Sequence, residues 1–163
     1  MARALLVGCG CRGRELGRAL REDGWELRGT TRDRERTVEI EEAGIEAVVA
    51  DPDRVGTLLD HIGDVTLVAW LLGSAAGESD AVAALNGPRL ERMLEELVDT
   101  PVRGFVYEAA GSVASPLLSE GTKLIAAAAE RWRIPVLILE HDPHDWRGWV
   151  AAARTEIHAL LGA

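Results

Sequence analysis

The chain has 163 residues, of which 47% are hydrophobic and 28% charged, so it can bury a full core and fits one domain spanning 1–163. Its formal net charge of -9 argues against a nucleic-acid partner, because binding to a phosphate backbone needs a clustered basic surface. The sequence has neither an apolar run of the roughly 20 residues that span a bilayer nor a recognisable secretory signal. We therefore expect a cytoplasmic protein without a membrane partner.

Six short aliphatic runs alternate with longer amphipathic segments along the chain. Several runs lack polar alternation, which is typical of strands buried on both faces of a parallel sheet. The predicted strands cover residues 3–8, 25–31, 45–50, 65–73, 102–110 and 133–140. This alternation predicts an α/β fold: a single doubly wound domain with about six parallel strands and helices on both faces.

Helical patterns separate and follow these strands, at about 12–23, 33–43, from 51 onward, 87–100, 119–132 and 143–161. Asp51 and Pro52 predict the start of the third helix, with the aspartate as N-cap and the proline in the first turn. Asp142 and Pro143 predict the start of the last helix in the same way. We expect the segments 73–86, 111–121 and 140–149 to cover any ligand.

A glycine-rich turn lies between the first strand and the first helix. Gly8 permits a tight turn, Gly10 lets a pyrophosphate approach the backbone, and Gly13 lets the helix pack closely on the strand. The helix N-terminus then faces the phosphates. The pattern predicts a dinucleotide-binding domain of the Rossmann type, with a ligand-free turn as the alternative. The predicted phosphate-binding turn comprises Gly8, Cys9, Gly10, Cys11, Arg12 and Gly13.

The end of the second strand indicates which dinucleotide binds. An acidic residue at this place usually accepts the ribose hydroxyls of NAD, but the sequence has Thr31 followed by Arg32. An arginine fork suits a 2′-phosphate, and Arg12 could reach the same phosphate. We therefore predict NADP, with NAD as the alternative if Asp33 points into the site instead of capping the second helix.

The segment 141–146 holds two histidines and two aspartates beyond the sixth strand. A metal site is the sharper interpretation, but solvated histidines beside helix-capping aspartates explain the pattern, and we predict no metal. His144 is an alternative general acid. Trp146 and Trp149 are expected to pack on the sheet, with a homodimer contact as the alternative.

Much of the sequence resembles a known family. "LLVGCGCRGRELGRALREDGWELRGTTRD" and "GIEAVVADPD" resemble the atypical short-chain dehydrogenases/reductases, and the similarity continues to about residue 140. The resemblance implies an NAD(P)-binding Rossmann domain, truncated after one further helix. It places Asp51 and Pro52 beside the adenine, and Leu72 and Gly73 beside the ribose or pyrophosphate. It also implies that Lys123, the only lysine of the chain, hydrogen-bonds the nicotinamide ribose.

The sequence departs from this family at the catalytic positions. Ser119 stands where the family has its tyrosine, and Ala110 stands where it has its serine. Tyr107, the only tyrosine, falls inside the fifth strand and is expected in the core. Carbonyl reduction needs a proton donor of suitable pKa, so the usual catalytic pair is missing.

Three functions from different classes remain. The leading hypothesis is an NADP(H)-binding module, for dinucleotide binding or redox sensing. The alternative is an NADP-dependent oxidoreductase on a small carbonyl substrate, with Lys123, Ser112 and His144 as catalytic candidates. The third is a structural interaction domain with an empty site.

Overall fold

Six strands form one parallel sheet in a computed structural model that describes residues 2–162. They run in the order β3-β2-β1-β4-β5-β6. The predicted α/β fold with about six parallel strands is thereby confirmed. The strands are β1 Arg3–Val7, β2 Glu26–Thr31, β3 Glu46–Val49, β4 Leu67–Trp70, β5 Gly104–Glu108 and β6 Val136–Leu139.

Helices cover both faces of this sheet. They are α1 Cys11–Glu22, α2 Thr37–Glu42, α3 Val55–Leu59, α4 Ser79–Leu85, α5 Pro88–Glu96, α6 Ser115–Trp132 and α7 Trp146–Gly162, with a 3-10 helix at Arg34–Arg36. One core lies between the sheet and α1, α2 and α7, and the other lies between the sheet and α3, α5 and α6. In β5, Val106 points into the first core while Phe105 and Tyr107 point into the second, as the two-residue period of a strand requires.

The order of the strands reverses at β1, which pairs with β2 on one side and with β4 on the other. Leu6 is in register with Gly29 of β2 and with Ala69 of β4. Such a switch point leaves a crevice outside the carboxyl ends of the two central strands, where ligands bind in open α/β sheets.

Two helix starts differ from prediction for one shared reason. Asp51 accepts a hydrogen bond from the Asp53 amide at 2.9 Å, and Asp142 accepts one from the His144 amide at 2.9 Å. Each aspartate therefore closes a local turn instead of capping a helix. Helix α3 begins at Val55, and α7 begins at Trp146.

Helix α4 lies in the segment 73–86, which the sequence pattern left without a helix. None of its residues is buried, so it has no apolar stripe that could predict it. Its C-terminal end is held by the indole of Trp70, whose Nε1 donates to the Leu85 carbonyl at 3.1 Å. The helix lines one side of the crevice with Ala81, Val82 and Leu85, and Leu85 also packs, partly buried, against the second core.

The first and last helices pack against each other. Arg154 of α7 donates from Nε to Asp23 Oδ2 at 2.6 Å and from Nη2 to Asp23 Oδ1. This pairing holds the pKa of Asp23 below its usual range. Among residues 2–162, no helix is both long and apolar enough to cross a bilayer.

Candidate functional site

A cavity of about 560 Å³ occupies the crevice at the switch point. It is bounded by the glycine turn, the loops after β2, β3 and β4, helix α4 and the start of α7. A hollow of about 170 Å³ adjoins it on the β2 side and shares several of its walls. The predicted residues that line one or both spaces are Gly8, Cys9, Gly10, Cys11, Arg12, Gly13, Thr31, Arg32, Asp51, Pro52 and Leu72.

The three glycines of the turn meet three different steric conditions. Gly8 has a φ of +88°, and a Cβ there would lie 2.5 Å from the Leu71 carbonyl oxygen. A Cβ on Gly13 would lie 2.9 Å from the carbonyl oxygen of Gly8. A Cβ on Gly10 would have no described neighbour within 4 Å. Gly8 and Gly13 are therefore required by packing, whereas Gly10 faces open space.

The open space above Gly10 lies at the N-terminus of α1. Gly10 occupies the N-cap position, offers no side-chain cap, and no acidic residue stands in the first turn. The first amides of a helix carry the positive end of its dipole and need acceptors. This end of the cavity can therefore hold an anion such as a phosphate.

Two arginines lie at the β2 end of the crevice. Arg32 and Arg36 line both the cavity and the adjoining hollow, and neither forms a side-chain ion pair within residues 2–162. Arg36 was missed by the sequence analysis. Arg36 follows Arg32 by about one helical turn. It could have been found from the sequence only if the 3-10 helix at Arg34–Arg36 had been predicted.

Asp33, the residue that would favour NAD, is turned away from the crevice. Its carboxylate accepts a hydrogen bond from the Glu35 amide at 2.9 Å and so caps the 3-10 helix. The Thr31 hydroxyl is engaged with Asp33 as well, donating to its carbonyl at 3.2 Å. The capping role predicted for Asp33 is confirmed.

Glu108 stands at the opposite end of the cavity and was missed by the sequence analysis. It is the last residue of β5 and is only 1% exposed. Its Oε1 accepts a hydrogen bond from the Gly73 amide at 2.8 Å, so Gly73 lies behind the wall of the cavity. Burial raises the pKa of Glu108, while the Arg12 guanidinium and the Gly73 amide lower it in part.

Arg12 extends toward Glu108, away from Arg32. Its Nη2 lies 3.4 Å from Glu108 Oε2 and 3.3 Å from Ser74 Oγ, and its Cζ lies 5.6 Å from the ring centroid of Trp149. In this structure the Arg12 guanidinium therefore lies on the β5 side of the crevice beside Glu108, and its contact with a 2′-phosphate stays a prediction.

The three predicted catalytic side chains do not line the cavity. Lys123 is 75% exposed, because α6 buries its opposite face on the sheet. Its ammonium group pairs with Glu120 at 3.2 Å. His144 is 95% exposed and lies 3.1 Å from Asp142. Ser112 is exposed, and its backbone amide donates to Ser74 Oγ at 3.2 Å. The structure therefore does not bring these candidates together.

Two further predictions concern buried groups. Tyr107 is a core residue as predicted, and its hydroxyl donates to Asn86 Oδ1 at 2.6 Å. Burial raises the pKa of Tyr107 to about 12 and that of Cys9 to about 12.

Over the part of the chain described, no group of three or more His, Cys, Asp or Glu side chains is placed to hold a metal ion.

These features define a Rossmann-type domain whose switch-point crevice is open at the glycine turn, and solved structures share its fold. UDP-glucuronic acid 4-epimerase from Bacillus cereus, in complex with NAD, matches 87% of this chain with a TM-score of 0.65 and 15% identity. A short-chain dehydrogenase/reductase superfamily protein from Agrobacterium tumefaciens with bound NAD matches 85% with a TM-score of 0.69 and 22% identity. Vestitone reductase from alfalfa matches 85% with a TM-score of 0.64 and 15% identity.

The predicted resemblance is thus confirmed at the level of the fold, which is that of the short-chain dehydrogenases/reductases and related epimerases. The chain covers 60%, 48% and 55% of the three structures respectively, so it spans about half of their length. Neither a protein-family model nor a curated protein sequence matches it.

Proposed function

We propose that this crevice binds NADP(H) as the site of a dinucleotide-binding or redox-sensing module. The observation that carries the proposal is the open space above Gly10 at the N-terminus of α1. A diphosphate placed there would accept hydrogen bonds from the first amides of the helix. Two of the structures that share the fold hold NAD, which supports a nicotinamide dinucleotide as the ligand.

The preference for NADP rests on Arg32 and Arg36. Both arginines line the hollow at the end of β2, where the adenosine ribose of a dinucleotide would lie. A 2′-phosphate there would meet two cations, and Asp33, the competing carboxylate, is occupied in capping the 3-10 helix.

Calorimetric titration with NADPH and NADH tests this assignment. Arg32→Ala and Arg36→Ala should each weaken NADPH binding by about 10- to 100-fold, since a hydrogen bond to a charged group contributes about 1.5–3 kcal/mol. Binding of NADH should change little. Arg34→Ala is the matched control, because Arg34 lies in the same 3-10 helix but lines neither space. Equal losses for both nucleotides would refute the NADP preference, and binding of neither would refute the function.

The residues near the end of the cavity where a nicotinamide would lie are consistent with a module that lacks the usual reductase chemistry. Ala110 and Ser119 replace the proton donors of the family, and Lys123 lies on the outer face of α6. An oxidoreductase with a different acid is the second candidate, and one observation favours it: Glu108, with its raised pKa, borders the cavity. Oxidation of NADPH with a panel of aldehydes, ketones and quinones separates the two, since steady turnover would support the enzyme.

A further inference from the structure

Glu108 is a buried charge that dinucleotide binding on the glycine turn does not itself require. Burying a carboxylate costs several kcal/mol unless it is well paired. The pairing here is incomplete: Oε1 has one hydrogen bond of 2.8 Å to the Gly73 amide, Oε2 lies 3.4 Å from Arg12, and the nearby Trp149 indole lowers the pKa of the carboxyl without forming a hydrogen bond to it. A carboxylate in this situation depends on Arg12 to keep its charge.

Arg12 is held loosely at the same place. Its Nη2 is divided between Ser74 Oγ at 3.3 Å and Glu108 at 3.4 Å, and its buried Nε has no hydrogen-bond partner in the described part of the chain. The Nε1 of Trp149, fully buried in the wall of the cavity, has none either. The side chain of Arg12 is 27% exposed and belongs to the turn that would receive the diphosphate.

We propose that Glu108 positions Arg12 at the cavity and takes up one proton from solvent when an anionic dinucleotide binds there. The inference rests on the proposed function. A diphosphate at the glycine turn would offer Arg12 two negative charges in place of the single, 3.4 Å contact with Glu108. Once the guanidinium turns toward them, the carboxylate is left buried beside added negative charge. It then becomes a neutral carboxyl, with no bond of the ligand made or broken.

The surroundings of Glu108 leave Arg12 as the group that controls this proton. The carboxylate faces Arg12 from α1, the Gly73 amide from the loop after β4, and the Trp149 indole from α7. Tyr107, its neighbour in β5, has a pKa raised to about 12 and stays neutral at physiological pH. Of these groups, Arg12 is the one with a permanent charge and a path into the cavity.

Calorimetry of NADPH binding at neutral pH in PIPES and in Tris measures the proton directly, because the two phosphate-free buffers differ in ionisation enthalpy. The 2′-phosphate of NADPH also titrates near pH 6, so the informative quantity is the difference between wild type and variant. Glu108→Gln should take up fewer protons than wild type by as much as one per NADPH. Glu95→Gln should match wild type, since Glu95 is exposed on α5 and lines neither the cavity nor the hollow.

Two further measurements distinguish proton coupling from a merely structural role. The NADPH Kd of wild type should weaken with rising pH more steeply than that of Glu108→Gln, by up to about tenfold per pH unit. Arg12→Gln, which already leaves Glu108 unpaired in the free protein, should also lose the extra proton uptake. Equal uptake by wild type and Glu108→Gln would overturn the inference and leave NADP(H) binding intact. Failure of wild type to bind dinucleotide would overturn both.

Discussion

Replacement of Gly10 by alanine separates ligand binding from folding. The new methyl group would meet no described atom within 4 Å, and the backbone at φ -80° and ψ -161° is open to any residue. Alanine is a poorer N-cap than glycine, but it also restricts the unfolded chain, and the two effects oppose each other. We expect the free energy of unfolding to change by less than about 1 kcal/mol.

The effect on dinucleotide binding should be much larger. The methyl group would stand where the diphosphate approaches the backbone and would displace it from at least one helix amide. Losing one hydrogen bond to a charged group costs about 1.5–3 kcal/mol, which corresponds to a 10- to 100-fold higher Kd for NADPH. Gly8→Ala is the contrasting variant, because its positive φ and the Leu71 carbonyl at 2.5 Å should destabilise the fold by more than about 2 kcal/mol.

Urea unfolding and NADPH calorimetry on the same preparations measure both quantities. Gly10→Ala should unfold like wild type and bind weakly, whereas Gly8→Ala should unfold at lower urea. Wild-type affinity in Gly10→Ala would refute the assignment of the phosphate site. A loss of stability in Gly10→Ala equal to that in Gly8→Ala would refute the geometry on which the prediction depends.

Three further predictions concern single side chains. Iodoacetamide should label the exposed Cys11, and NADPH should slow this labelling. Cys9 is buried with a pKa of about 12, so peptide mass spectrometry should find it unlabelled. Equal labelling of the two cysteines would contradict this prediction. The raised pKa of Glu108 contributes stability below the ordinary pKa of a glutamate and loses it as pH rises through the raised value. Thermal melts should therefore show Glu108→Gln gaining stability relative to wild type as pH rises from the ordinary glutamate range toward neutrality, and a constant difference would argue against it. Gly121→Ala should lose about 1–3 kcal/mol in urea unfolding because its methyl group would overlap the Tyr107 ring, and adding Tyr107→Leu should restore part of that loss; wild-type stability in the single variant would refute the overlap.

The strands could be predicted because burial on both faces leaves an unbroken aliphatic signal. β4, Leu67–Trp70, is buried at every position, and its hydrophobic run is visible without any tertiary information. Helix α4 gave no such signal, since none of its residues is buried and only the partly buried Leu85 packs against a core. The two Asp-Pro starts were misplaced because an aspartate caps a local turn as readily as a helix.

The residues of the candidate site also fall into those that could be predicted from the sequence and those that could not. Gly8, Gly10 and Gly13 could be predicted because their spacing follows from local backbone geometry. Glu108 could not, because its role depends on Arg12, which reaches it across the sheet. The sequence did contain one indication, a charged residue at the end of a buried strand. Glu108 was overlooked because the residues around it fit the strand pattern.

The contact between α1 and α7 has a consequence for the order in which the crevice forms during synthesis. Asp23 and Arg154 lie 131 residues apart, which a ribosome translating about 5–20 residues per second takes on the order of ten seconds to cover. Until α7 emerges, the phosphate turn exists without its tryptophan wall. A nascent chain that still lacks α7 therefore lacks one wall of the crevice.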